Sequence, residues 1–198
     1  MHRVIRRLRA LANRPSDGAD MVLRRVPPRS ICAELGVYKG EFSAQILKTN
    51  VPRRLHLVDP WKFEPSPEYG RSWYGGAKGG SQENMDAIYD SVCLRFQSEI
   101  SAGAVKIHRS PSAQVASQFP DGYFDWVYVD GNHQYEFVLR DLELYYPKVK
   151  SGGFITGDDY CVPGWWKDGV TKAVDHFMAS GNCKKVEIWD HKFVLRKL

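Results

Sequence analysis

The chain has 198 residues, 43% of them hydrophobic, and a formal charge of +5, which is the make-up of an ordinary globular domain with one sizeable core. Five arginines (Arg3, Arg6, Arg7, Arg9, Arg14) fall within the first fourteen residues, so the positive balance belongs to an arm and is not a nucleic-acid footprint spread over a face. Cys32, Cys93, Cys161 and Cys183 show no zinc or C-x-x-C spacing and read as reduced thiols; no apolar run approaches the ~20 residues that span a bilayer, so a cytoplasmic protein without a transmembrane segment and without a nucleic-acid partner is expected.

In chain order, residues 2–13 carry an apolar stripe (Val4, Ile5, Leu8, Leu11, Ala12) opposite the arginines and predict an amphipathic helix, followed by a polar link. Residues 1–29 are therefore read as an N-terminal helix and link, and 30–198 as the domain proper. Met21 to Leu23 predicts a further short helix. A strand over Ile31–Leu35 runs into Glu34-x-Gly36-x-x-x-Gly40 and a helix ending near Asn50; a second strand, Arg54–Val58, ends in Asp59. Trp61 to Ser81 combines two prolines, five glycines and several aromatics, among them Trp61, Phe63, Trp73 and Tyr74, and predicts a long loop acting as a lid or acceptor wall. A helix over Asn84–Ser98, a strand over Val105–His108 and a short helix over Gln114–Phe119 follow. Residues 124–160 then read as strand, helix, strand, with Ser151-Gly152-Gly153 as the turn into the second strand, Phe154–Thr156. A helix from Val170 to Met178 and two strands, Lys184–Trp189 and Lys192–Leu195, close the chain as a hairpin.

The chemistry gathers at strand ends. A right-handed crossover brings Asp130 and Asp158-Asp159 to one edge of a parallel sheet. Three carboxylates there repel one another unless a cation sits among them, and a hard divalent ion such as Mg2+ suits oxygen ligands. Glu34, Gly36 and Gly40 let backbone approach a ligand at a helix start. Asp59 stands where a carboxylate can take both hydroxyls of a ribose. His133, three residues past a metal ligand, can accept a proton from an activated alcohol. Each has a plainer reading: an Asp-Pro turn for Asp59, a neutral hydrogen-bonding histidine for His133, a capping pair for Asp158-Asp159, and a core or dimer contact for Trp165-Trp166. His108, His176 and His191 have no partners at ligand spacing.

With these motifs in view, residues 31–198 resemble a class I S-adenosylmethionine-dependent methyltransferase. Asp130-Gly131-Asn132-His133 with Asp158-Asp159 is similar to the metal-dependent O-methyltransferases, with His133 at the Lys position and Asp159 at the Asn position of the catechol enzymes, as in the sugar O-methyltransferases of macrolide and aminocoumarin pathways. A methylmannose polysaccharide methyltransferase is a relative of fitting length. The resemblance implies an α/β, Rossmann-like, doubly wound and mostly parallel seven-stranded sheet with a C-terminal antiparallel hairpin. It implies S-adenosylmethionine as cofactor, held by Glu34, Gly36, Gly40, Asp59, Trp61, Ser110, Ser112 and Asp130, and Mg2+ or another divalent cation on Asp130, Asp158 and Asp159. His133 would be the general base, and Trp73, Tyr74, Tyr160, Trp165 and Trp166 the acceptor contacts. The expected activity is methylation of a sugar, oligosaccharide or glycoconjugate hydroxyl, with a catechol or phenol, then RNA, as alternative acceptors; whether the chain forms a homo-oligomer is left open.

Overall fold

The computed structural model describes residues 18–198 except Asn182; the amphipathic helix expected over residues 2–13 lies outside the described residues. Seven strands form one sheet in the order β3-β2-β1-β4-β5-β7-β6: β1 Ile31–Leu35, β2 Arg54–Asp59, β3 Val105–Arg109, β4 Phe124–Val129, β5 Val149–Gly157, β6 Cys183–Trp189 and β7 Lys192–Lys197. The first five are parallel, and β7 runs antiparallel to both β5 and β6. This is the Rossmann-like sheet with a C-terminal hairpin that the sequence predicts.

The central strands are apolar on both sides because helices cover both faces. On one face Ala33, Leu35, Val127, Val129 and Ile155 meet Val138, Leu142 and Tyr145 of the helix Tyr135–Tyr145 and Val170, Val174 and Phe177 of the helix Gly169–Ala179. On the other, Cys32, Leu55, Leu57, Trp126 and Tyr128 meet Ile46 of the helix Glu41–Asn50 and Met85 and Val92 of the helix Gln82–Arg95. The helix Gly18–Arg25 also contributes Met21, Val22 and Leu23 to that second layer. The packed body therefore begins before residue 30.

Several boundaries move. Ser151-Gly152-Gly153 does not turn the chain but lies within β5, where the pairing with β4 shifts register between Phe124 and Trp126; the extra residues form the irregularity that such glycines accommodate. The helix after the long loop stops at Arg95, and a separate short helix covers Gln97–Ser101. The one after β3 begins at Ser112. The loop itself contains a 3-10 turn at Pro67–Tyr69 and one helical turn at Gly76–Gly79.

Strand order reverses between β1 and β4, so the crevice at their carboxyl ends is where a doubly wound sheet binds ligands. There the two chains nearly touch: a Cβ on Gly36, whose φ is +89°, would lie 2.0 Å from the Asp130 carbonyl oxygen. Only glycine fits, and the contact fixes Asp130 beside the end of β1.

Candidate methyl-transfer site

A cavity of about 700 Å³ opens at these strand ends, room enough for a nucleoside carrying an amino-acid arm. Its two halves are built differently.

In the first half, Asp59 ends β2 and is only 1% exposed. Backbone amides of Val37 and Tyr38 donate to its Oδ2 (2.8 and 3.0 Å), and that of Trp61 to its Oδ1 (2.7 Å). The Tyr74 hydroxyl donates to Oδ2 as well. Tyr38 and Trp61 hold φ values of 50° and 40° to aim those amides, a backbone strain that a well-determined surrounding must support. Burial raises the Asp59 carboxyl, and its donors oppose that rise. Glu34, equally buried, accepts the Ser43 hydroxyl at 2.5 Å; burial lifts it well above the usual carboxylate range. A third buried acid, Asp141, accepts from Ser112 Oγ at 2.6 Å and is pushed up to about 6 by burial. Asp141 was missed at the sequence level. Its signal was an acid inside the apolar stripe formed by Val138, Leu142 and Tyr145.

In the second half, His133 lies between two carboxylates: its Nε2 is 2.8 Å from Asp159 Oδ2 and 3.3 Å from Asp130 Oδ1. The ring stacks on Trp166 with centroids 4.5 Å apart. Its backbone abuts the start of the last helix, where a Cβ on Gly169 would lie 2.5 Å from the His133 carbonyl oxygen. Burial alone would lower His133, but Asp130 and Asp159 outweigh it and raise the imidazole to about 9. Close as they are, the ring nitrogen and the carboxylates are not aligned for a hydrogen bond, and Nε2 is buried without a hydrogen-bonding partner. Such an atom is uncommon in a folded protein and is one that a proton or a bound ion would satisfy. Asp130, His133 and Asp159 place one donor atom each within 4.8 Å of one another, a His and carboxylate set that suits a divalent cation.

Of the expected cation ligands, Asp130 and Asp159 fall in this candidate group, and His133 stands there in place of Asp158. Asp158 is outside the group: its Oδ1 accepts the Asp159 amide at 2.8 Å and its Oδ2 pairs with Lys192 Nζ at 2.6 Å. The chain turns at Asp159, whose φ is 58°, so that neighbouring carboxylates point to different partners.

Of the expected cofactor set, Glu34, Gly36, Asp59, Ser112 and Asp130 line the cavity. Trp61 does not; it is wholly buried, and its Nε1 donates to the Tyr38 carbonyl at 2.8 Å. Gly40 sits against the Phe96 ring, and Ser110 Oγ donates to Gln114 at 3.0 Å. Of the expected acceptor residues, Trp73, Tyr74, Trp165 and Trp166 line the cavity, whereas the Tyr160 hydroxyl turns to Asp175 at 2.8 Å. His108 does not line the cavity: its Nε2 lies 2.9 Å from His56 Nδ1.

Residues 33–160 match the family model described as a methyltransferase domain, Methyltransf_24. The chain belongs to this methyltransferase family. S-adenosylmethionine is the cofactor that membership implies, and the acid-rich cavity suits its positively charged sulfonium. The methyltransferase is similar in fold to a putative caffeoyl-CoA O-methyltransferase from Staphylococcus aureus, with a TM-score of 0.63 at 12% identity over 99% of this chain and 91% of that one. It is also similar to the 1,6-didemethyltoxoflavin-N1-methyltransferase of Burkholderia thailandensis, with a TM-score of 0.58 at 12% identity over 92% and 77% of the two chains. One name indicates an oxygen acceptor and the other a nitrogen, so the shared fold does not choose the acceptor. In sequence, the methyltransferase is 38% identical over 65 residues to the uncharacterized protein R132 of Acanthamoeba polyphaga mimivirus; the match spans 33% of this chain and 28% of that protein. Among the described residues no helix is long and apolar enough to cross a membrane.

Proposed function

We propose that the methyltransferase transfers the methyl group of S-adenosylmethionine to a hydroxyl of a sugar, oligosaccharide or glycoconjugate, with Mg2+ or a similar divalent cation held by Asp130, His133 and Asp159. The observation that carries this reading is the buried, partnerless His133 Nε2 facing two carboxylates. A cation bound there would orient an acceptor oxygen and make its proton easier to lose, which an aliphatic hydroxyl needs and a better nucleophile does not.

The chain's own residues supply the rest. Asp130 and Asp159 provide the negative charge, and Trp166 keeps the His133 ring in place. His133 has two forms in this arrangement. Protonated, it offsets one of the two carboxylate charges; deprotonated, its Nε2 lone pair is directed into the group. With a cation bound, that lone pair would be taken up by the ion, so in this reading His133 serves as a ligand in place of the general base expected from the sequence. Trp165 and the half-exposed Trp73 offer flat apolar faces along the wall. Glu64, Asn132 and Asp158 interleave polar groups with them. Aromatic faces mixed with hydrogen-bonding groups suit a polyhydroxylated ring.

The test is methyl transfer from labelled S-adenosylmethionine to a panel of oligosaccharides, catechols and RNA, each with EDTA and with added Mg2+. Turnover on a saccharide, abolished by EDTA and restored by Mg2+, is expected. Undiminished turnover in EDTA would remove the cation, and methylation of catechol or RNA alone would overturn the acceptor class.

A further inference from the structure

Asp59 accepts more donors than a ribose leaves room for. A carboxylate has about four lone-pair positions, two on each oxygen. Oδ2 already takes the amides of Val37 and Tyr38 and the hydroxyl of Tyr74, while Oδ1 takes only the amide of Trp61. With three donors Oδ2 already carries one more than its two lone pairs, so a diol that presents one hydroxyl to each oxygen finds a free position on Oδ1 but can reach Oδ2 only in exchange for a donor already there.

One of the donors on Oδ2 must therefore leave. The amides of Val37 and Tyr38 belong to the turn that follows β1, and that turn is tied to the sheet by the Gly36 amide donating to Val58 O at 2.9 Å. Tyr74 is different. It is the side-chain donor in the set, and it comes from the segment between β2 and the helix Gln82–Arg95.

That segment is pinned at two further points. The Tyr74 ring packs on Tyr38 at 5.7 Å between centroids. At the other end of the cavity, Tyr69 donates to Gln134 Oε1 at 2.9 Å and accepts from Asn132 Nδ2 at 2.9 Å. Asn132 and Gln134 flank His133 in the chain. The segment thus joins the nucleoside half of the cavity to the cation half.

We infer that Tyr74 is a latch responsive to the cofactor: its hydroxyl occupies the ribose position on Asp59 Oδ2 until the ribose displaces it, which frees the segment that walls the acceptor side. The inference rests on Asp59 being the ribose acid. Removing the hydroxyl removes the competitor while leaving the ring and its packing on Tyr38.

Calorimetric titration of wild type and Tyr74→Phe with S-adenosylhomocysteine, adenosine and 2′,3′-dideoxyadenosine tests it. Tyr74→Phe should bind S-adenosylhomocysteine and adenosine about tenfold more tightly, the order of one hydrogen bond to a charged group. It should bind the dideoxy nucleoside as wild type does, because that ligand has no hydroxyl to claim Oδ2. Equal gains for all three ligands, or no gain or a loss for adenosine, would overturn the latch. If wild type binds adenosine and the dideoxy nucleoside equally, the ribose reading of Asp59 itself fails. A circular-dichroism melt of Tyr74→Phe matching wild type secures the comparison. If that variant proves unstable, Tyr74→Met, which also lacks the hydroxyl, is put through the same three titrations and read by the same outcomes.

Discussion

The two halves of the cavity handle buried charge in opposite ways. At the end of β2, Asp59 is enclosed and its oxygens already receive four donors from the protein. At the ends of β4 and β5, Asp130 and Asp159 face an imidazole nitrogen that hydrogen-bonds to neither. The first half is a finished scaffold on which a ligand must exchange with something present. The second is an unfinished polar group, which a proton or a cation must complete. His56 sharpens the contrast, because it is a fully enclosed histidine whose neighbours differ from those of the partly exposed His133. Its ring nitrogens meet His108 and, at 3.2 Å, the Tyr123 hydroxyl. Burial there lowers it to about 3, whereas the carboxylates raise His133 to about 9. Neighbouring charge, not burial, decides which histidine is equipped for ion chemistry.

The hardest way to break this arrangement is at the contact that joins the halves. Gly36→Ala would force a Cβ against the Asp130 carbonyl in a left-handed backbone, and a loss of about 4 kcal/mol or more is expected in a denaturant titration, at the upper end for single substitutions. A near wild-type midpoint would show that Asp130 is not held there. His133→Ala should come next, lowering divalent-ion affinity by about 100-fold or more, since even outer-shell partners of metal ligands cost 10- to 100-fold. Asp158→Asn should change ion affinity by less than about tenfold on the same scale, but should cost about 1–3 kcal/mol of stability by weakening the pair with the mostly buried Lys192. The reverse ranking of those two variants on ion affinity would return Asp158 to the cation group.

The smallest effect is a pH slope. Because His56 has a folded value near 3, below the unfolded value of about 6.5, the unfolded chain takes up its proton first as the pH falls. Its contribution to stability is whole above about pH 6.5 and is lost progressively toward pH 3. Asp141 works the other way, since a carboxyl raised to about 6 loses its contribution as the pH rises from the unfolded value through 6. The difference between wild type and His56→Asn, followed by thermal melts between pH 7 and pH 4, isolates the histidine. The variant should show the shallower acid loss, and parallel curves would mean that His56 is not buried as a neutral ring.

The sheet was legible in the sequence because β2 and β4 are short apolar runs stopped by Asp-Pro and Asp-Gly, and because those acids, with Asp158-Asp159 after β5, mark the edge where ligands bind. The amphipathic stripe from Tyr135 to Tyr145 gave the crossover for the same reason. What the sequence could not fix was which way adjacent residues face once regular structure ends. Asp158 and Asp159 are equivalent in a motif, yet the positive φ at Asp159 and the reach of Lys192 from β7 send them apart, and Lys192 lies more than thirty residues on with no spacing to announce it. Trp61 reads as a loop aromatic beside a ligand acid but is buried in the core. The latch was hidden for a related reason: Tyr74 looks like one of several wall aromatics, and its hydroxyl meets Asp59 only through the fold of a glycine-rich segment.

The central claim is that Asp130, His133 and Asp159 form one cation site. Titration of the protein with Mn2+, followed by electron paramagnetic resonance of the free ion, tests it most directly when run on wild type, Asp159→Asn and Asp158→Asn side by side. The account predicts one bound ion per wild-type chain, lost in Asp159→Asn and kept in Asp158→Asn. No binding to wild type, or equal loss in both variants, would contradict it.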